Sequence, residues 1–594
     1  MSGVAILAAL CLSGNAMSAC KLSRIAELPV TMVDMKAMVN AEINGQAATF
    51  AVDSGAFYSV ITPASAAEFK LKTHSAPFQL RVSGVGGEAS MAAATVKVFT
   101  LAGIPFPDVE FLVGGGEVGG GSVGVLGQNV LRLGDVEYDL AHGVIRLMRE
   151  EDCRKANLAY WAGASAAISM IDIQSTTPLE SLTIGTAFLN GARIRVAFDT
   201  GADASFLSLR AAKRAGISVD GPGARYAGTS RGIGRATVKT WIVPVAEFKL
   251  GDEEIRNTHL RVGDYDLGSA DMLIGADFFL SHHLYVAGKN AKLFFTYNGG
   301  PVFNLTVSPA AVAAEGPAAE PRDPTAPAPP VAGEPKDAAE FSRRGAAFAA
   351  RREFAAAIAD FDRACELAPD QPDYFYERGI AHAGNNQPVA ALSDFDQTLK
   401  LKPDHVPARV ARAEIRFRGG DSPHALEDLD AADRAASKEA DARLQMSAIY
   451  AHADRLPEAI AQLDLWVAAH KADARLGSAL GERCWVRSLA GVELPQALGD
   501  CNDALNLVDK KASDSSRFFV SRGLVRLRLG DYQKSVDDFG TALALRPKEA
   551  WALYGRGVDE LRLGKNADGE ADLKSAKDVW PGIAAAFEKH GIHP

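Results

Sequence analysis

Cysteine is scarce in this chain, six among 594 residues. Neither Cys-x-x-Cys nor His-Glu-x-x-His occurs, so the usual spacings of a zinc site are missing and no metal site is expected. Basic residues are in the minority, 63 Lys and Arg against 73 Asp and Glu, for a net charge of −10. A nucleic-acid binder carries a basic patch, so no nucleic-acid partner is expected. No apolar run approaches the roughly 18 residues of a membrane-crossing helix. The Gly-dense Val113–Gly124 lacks the Gly-Lys-Ser/Thr of a phosphate loop and reads as a mobile loop. "GVGGEA" and "GIGRAT" have no strand–helix–strand pattern around them, so they are not dinucleotide fingerprints. No cofactor is expected.

What remains is ordinary globular material, 47% hydrophobic and 23% charged, in a chain too long for one core. Val4–Leu12 is an apolar run of signal-peptide length, although "MSG" before it lacks a basic lead. Met17–Cys20, "MSAC", resembles a bacterial lipobox with Met where Leu is usual, which makes Cys20 a candidate lipidation site. Residues 1–20 are therefore read as a signal peptide or lipoprotein signal. The expected location is periplasmic or membrane-anchored, with contact to a membrane only through that lipid. Removal of Cys11 leaves five cysteines, an odd number, so at least one thiol is free or modified. Ser308–Lys336 holds eight of the chain's 28 prolines among alanines. It cannot build a core and reads as an extended linker, taken as residues 305–337.

Behind the linker the chain repeats. Phe361, Phe395, Leu429 and Leu463 recur at steps of 34 residues, and Cys501, Phe539 and Leu573 continue the register at 38, 38 and 34. Gly345, Gly379, Gly523 and Gly557 each stand sixteen residues before a bulky position, and Pro369, Pro403 and Pro547 stand eight after one. That is the tetratricopeptide pattern, about seven repeats over 338–594. Such an array is an all-α solenoid whose concave face takes a protein or peptide ligand. In the fifth repeat Cys484 takes the small position and Cys501 the bulky one. They are read either as a disulfide within the repeat or as two buried thiols.

In front of the linker the chain is duplicated. "TFAVDSGAFYSVIT" (Thr49–Thr62) has the shape of "RVAFDTGADASFLS" (Arg195–Ser208), with Asp53 and Asp199 146 residues apart. Asn-Gly precedes each motif, with Gly45 and Gly191 eight residues before the aspartates; it predicts a hairpin leading into a strand. Gly86 and Gly234 lie in Gly-rich tips further on, and "VLG" and "LIG" bring Gly127 and Gly275 at 74 and 76 residues past Asp53 and Asp199.

This order resembles one subunit of a retroviral-type (retropepsin-like) aspartic protease, present twice. The resemblance implies two all-β barrel lobes, residues 21–152 and 153–304. It implies an aspartic endopeptidase acting on polypeptide, in which Asp53 and Asp199 form a catalytic dyad between lobes of one chain, so the protease unit is expected to be monomeric. It further implies that Ser54, Gly55, Thr200 and Gly201 hold the dyad loops and that Gly127 and Gly275 support them from behind. Val85, Gly86, Gly87, Ile233 and Gly234 would form flaps over the substrate. The alternative reading is a non-catalytic peptide-binding scaffold on the same double lobe. Smaller expectations are that Asp277 is a local hydrogen-bonding residue, that His282 and His283 are ordinary loop residues, and that the aromatics of Asp152–Gly163 pack at the seam. Cys153 is a partner for Cys20 if Cys20 is unlipidated.

Overall fold

The computed structural model describes residues 20–303 and 335–594, apart from 77–80, 85–86, 117, 155, 164–165, 175–181, 231–237, 472, 474, 509 and 511. Most of the linker and the signal lie outside the described residues, as do the flap tips Val85, Gly86, Ile233 and Gly234.

Alternating apolar residues around Asn-Gly make the expected hairpins. Asn44 and Asn190 both take positive φ at these turns, joining Lys36–Ile43 to Gln46–Val52 and Thr183–Leu189 to Ala192–Phe198. Each hairpin opens a closed six-stranded barrel. In the first, the order is Lys36–Ile43, Gln46–Val52, Gly124–Leu126, Val60–Ile61, Ile104–Val113 and Ala92–Leu101, the last pairing back with the first. The second repeats it with Thr183–Leu189, Ala192–Phe198, Met272–Ile274, Phe206–Ser208, Glu253–Gly263 and Val238–Leu250. Closure leaves each barrel without a free edge and fills it with side chains such as Phe50, Phe99 and Phe111 in one and Phe198 and Phe248 in the other.

A third sheet joins the lobes, in the order Lys21–Pro29, Val144–Glu151, Asp135–Asp139, His282–Ala287, Lys292–Tyr297 and Ser169–Asp172. At its centre Glu137 of lobe one faces Tyr285 of lobe two. Here the reading of His282 and His283 as loop residues is corrected. Both are buried in a strand, because each finds a carboxylate there: Glu253 at 3.0 Å for His282 and Glu137 at 2.9 Å for His283. Trp161 stacks on His283 and donates to Thr296 Oγ1, and Tyr160 donates to Glu137, so the aromatics of Asp152–Gly163 do pack at the seam.

Seven helix pairs and a closing helix, Ile583–Lys589, follow among the described residues. The small position of each repeat faces its bulky one: a Cβ on Gly379 would lie 2.6 Å from the Phe395 ring, and one on Gly523 2.7 Å from Phe539. In the fifth repeat the same two positions are joined by the Cys484–Cys501 disulfide. Arg344, Arg378, Arg412, Arg522 and Arg556 each reach the aspartate sixteen residues on, at Asp360, Asp394, Asp428, Asp538 and Asp572. These bidentate pairs tie the two helices of a repeat together.

The first repeat is not held off by the linker. Ala346, Ala347 and Phe361 join the same apolar core as the lobes, and Arg351 Nη1 donates to the Leu280 carbonyl at 3.1 Å. Cys20 and Cys153 form a disulfide across the first lobe. That is the pairing expected for Cys20 when it carries no lipid. Cys365 is the free thiol among the described cysteines, and it is buried.

Candidate active site

Each duplicated motif ends a buried strand and turns sharply. Asp53 N donates to the Leu126 carbonyl and Asp199 N to that of Ile274, so the strand ending in Gly127 or Gly275 fixes where the turn begins. A Cβ on Gly127 would strike the Ala56 and Tyr58 backbone at 2.7 Å, and one on Gly275 would strike the Ala204 backbone at 2.5 Å. Both positions lie directly behind the aspartate loops, where a side chain has no room.

The two loops meet face to face. Ser54 N donates to Thr200 Oγ1 and Thr200 N to Ser54 Oγ, both at 3.0 Å. The hydroxyls donate onward across the lobe boundary, Ser54 Oγ to the Phe198 carbonyl at 3.1 Å and Thr200 Oγ1 to that of Val52 at 2.8 Å. All four bonds are buried and cross from one lobe to the other. Asp53 Oδ1 accepts from Gly55 N and Ala56 N at 2.9 and 2.8 Å, and Asp199 Oδ1 accepts from Gly201 N at 2.9 Å. The carboxyl groups of Asp53 and Asp199 hydrogen-bond each other.

Burial pushes both carboxyl groups up. The charge of Asp53 adds to this at Asp199, which lies well above the usual carboxylate range. At Asp53 the hydrogen bond with Asp199, the Ala56 and Gly55 amides and the charge of Lys36 pull part of the shift back. Two carboxyl groups in contact do not both ionise readily, so the pair retains a proton into a pH range where isolated carboxylates have lost theirs.

The structure thus brings together Asp53, Ser54, Gly55, Thr200, Gly201, Gly127 and Gly275. Of the flap residues it describes only Gly87, in a hairpin whose strands Arg81–Gly84 and Gly87–Ser90 pair from Gly84 to Gly87. In lobe two, Ser230 pairs with Val238 at the base of the matching tip. Asp277 accepts from Ser205 N and Oγ, and Asn129 accepts from Ser59 N and Oγ in the same way. Asp277 is therefore the local hydrogen-bonding residue expected.

Three contacts at the loops were not foreseen. Gln128 Nε2 donates to the Ser54 carbonyl at 2.6 Å, the buried Tyr138 stands beside the Ser54 side chain, and Lys36 forms an ion pair with Asp203 across the lobes. Gln128 stands beside Gly127 where lobe two has Ala276, a difference visible on aligning the copies. Tyr138 and Lys36 sit on other strands, and no local pattern marks them. Among the described residues, no cluster of His, Cys, Asp or Glu has the arrangement to hold a metal ion.

A family model described as aspartyl protease matches residues 39–130 and 185–278, and a tetratricopeptide repeat model matches 376–440 and 520–585. Photosystem I assembly protein Ycf3 of Acaryochloris marina (strain MBIC 11017) is 33% identical over 97 residues, 16% of this chain. The match spans 57% of that relative's length, so this chain covers little more than half of the curated relative. Among solved structures, a tetratricopeptide repeat protein from Parabacteroides merdae ATCC 43184 is 13% identical, covering 43% of this chain and 98% of its own, with a TM-score of 0.32. YrrB, titled a TPR protein with an unusual peptide-binding site, is 15% identical, covering 39% and 98%, with a TM-score of 0.23. The chain is an aspartyl protease-like double lobe joined to a tetratricopeptide repeat domain.

Proposed function

We propose that the double lobe is an aspartic endopeptidase and that Asp53 and Asp199 carry its chemistry. The supporting observation is the pair of mutually hydrogen-bonded carboxyl groups, each on a loop locked to the other lobe through Ser54 and Thr200. With one proton on the pair, the ionised carboxylate takes a proton from a water held between them. That water attacks the scissile carbonyl carbon while the protonated carboxyl hydrogen-bonds the carbonyl oxygen. Collapse of the tetrahedral intermediate returns a proton to the leaving amine. The interlocked hydroxyls keep the carboxyl groups in register, so the site is organised before substrate arrives.

We assign the helical repeats to binding a protein or peptide and bringing it to the protease unit. Helix pairs cannot bury their apolar faces alone, and stacking leaves a long concave surface. Export to an oxidising compartment is supported by the disulfides, which join four of the five cysteines beyond Cys11.

The test is cleavage of an unfolded protein from acid to neutral pH by wild type, Asp53→Asn and Asp199→Asn. Loss of about 10³-fold or more in kcat for either variant is expected for a group that acts as part of a unit. Equal cleavage by all three chains overturns the proposal, and peptide binding without hydrolysis by wild type favours a scaffold.

A further inference from the structure

The two lobes align residue for residue at their aspartate loops, and this exposes where they differ. Four residues past Asp53 stands Phe57; four past Asp199 stands Asp203. Seven residues before the end of the opening strand at Ile43 stands Lys36, and seven before its counterpart Leu189 stands Leu182. In lobe one Val60 pairs with Leu112, and in lobe two the matching Phe206 pairs with Arg261. Three matched positions are thus apolar on one side and charged on the other.

The side chains carry the difference into packing. Phe57 and Tyr58 have ring centroids 6.2 Å apart and pack on an apolar cluster that includes Met91 and Leu112. At the other loop Asp203 bonds Lys36, which reaches over from lobe one. Lys36 is mostly covered, while Asp203 is 54% exposed, so its carboxylate is tied on one oxygen and open to solvent. The charge of Lys36 also favours the ionised form of Asp53, and Asp203 stands on the same loop as Asp199, four residues on. Tyr265, packed on Phe206, donates to Ser230 Oγ at 3.1 Å, at the base of the second flap. Both the loop and the flap base are polar on this side.

We infer that the cleft reads the two sides of the scissile bond differently. The lobe-one end, with Phe57 and Tyr58, takes a large apolar or aromatic side chain. The lobe-two end, with Asp203 held by Lys36, takes a side chain that donates hydrogen bonds or carries positive charge. An apolar side chain there would take water from a carboxylate that is 54% exposed, whereas a donor would replace that water with a hydrogen bond. A homodimeric site with two identical ends has no such direction. The inference rests on the protease reading for which substrates are cut, but not for which are bound.

The experiment uses the full chain and three sets of peptides, with apolar residues on both sides of the central bond, apolar on one and Lys or Gln on the other, or polar on both. Cleavage by wild type is followed by mass spectrometry, and binding is measured with Asp53→Asn by fluorescence anisotropy. Mixed peptides should exceed doubly apolar ones by about tenfold in kcat/KM and in affinity, the scale of one solvent-exposed hydrogen bond. Asp203→Phe copies Phe57 into lobe two and Lys36→Leu copies Leu182 into lobe one, so the double variant makes the two ends alike and should move the preference to doubly apolar peptides. The swap Lys36→Asp with Asp203→Lys keeps an ion pair and should replace the choice of Lys by Glu. Equal treatment of the three peptide sets by wild type, or unchanged selectivity in folded variants, overturns the inference. Preferential binding of mixed peptides without cleavage by wild type overturns the protease reading and leaves the asymmetry standing.

Discussion

Gly201→Ala tests whether the dyad depends on glycine facing it from the opposite lobe. A Cβ at this position would lie 2.4 Å from Asp53 Cγ and 2.6 Å from both carboxylate oxygens. Ordinary van der Waals contact begins near 3.4 Å, so Asp53 or the loop must move by about 1 Å. Asp53 is short and is pinned by the Gly55 and Ala56 amides, so it has no slack rotamer into which to retreat. Overpacking of this kind costs about 1–3 kcal/mol of stability. Displacement of a reacting group by about 1 Å costs about 10²-fold in rate. The expected result is kcat down by about two orders of magnitude with KM changed little, since the methyl touches the carboxyl pair and not the outer cleft. Gly163→Ala is the control, because its Cβ would meet nothing within 4 Å. Steady-state kinetics with a quenched fluorescent peptide and thermal unfolding of the three chains decide the matter. A Gly201→Ala chain with kcat within threefold of wild type refutes the packing argument.

Three further outcomes follow from the same structure. Cys484→Ser with Cys501→Ser should destabilise the repeats by about 3 kcal/mol for a loop closed across 17 residues, measured by denaturant unfolding under oxidising conditions; no shift in midpoint would mean the bond contributes nothing. Asp559 is fully buried against Ser535, whose hydroxyl is already donated to the Gly523 carbonyl at 2.7 Å, and burial raises its carboxyl to about 7. The folded chain therefore holds a proton that the unfolded chain has released, so stability falls as pH rises from about 4 to about 7. Asp559→Asn should remove that slope in melting temperature, and an unchanged slope would refute the assignment. Burial works to raise Glu137 as well, but bonds from His283 and Tyr160 and the charge of Arg146 outweigh it and hold the group below its usual range. Its contribution is present above about pH 4.5 and is lost as pH falls through the lowered value. Glu137→Leu should cost about 3–5 kcal/mol at neutral pH, because it strands buried partners, and calorimetry would show the loss in the unfolding of the lobes.

The Asp-Ser/Thr-Gly turns, the Asn-Gly hairpins and the glycines behind the loops were legible because each is a local demand. A turn needs a particular backbone, a hairpin a particular loop, and a close approach a missing side chain. Duplication made them specific, since Asp53 and Asp199 share neighbours at matching distances. The repeats were legible for the same reason: Gly379 and Phe395 must match because one fills the space the other leaves. The joining of Cys484 to Cys501 was left open, because register gives proximity but not bond formation.

Other features were decided only by the tertiary structure. His282 and His283 read as loop residues because polar pairs after an apolar run usually mark a strand end. Burial became affordable only when the chain supplied Glu253 and Glu137 from distant strands. Cys20 met Cys153 across 133 residues, and the first repeat sank Ala346, Ala347 and Phe361 into the core of the lobes although a Pro-rich stretch comes before it. The sequence by itself determined that there would be two similar aspartate turns and a helical array. Only the tertiary structure decided that the turns face one another, that Lys36 reaches Asp203, and that Phe57, the match of Asp203, packs instead on an apolar cluster. Local backbone preference acts over a few residues, whereas hydrogen bonds and ion pairs between lobes depend on which strands close each barrel and which sheet joins them.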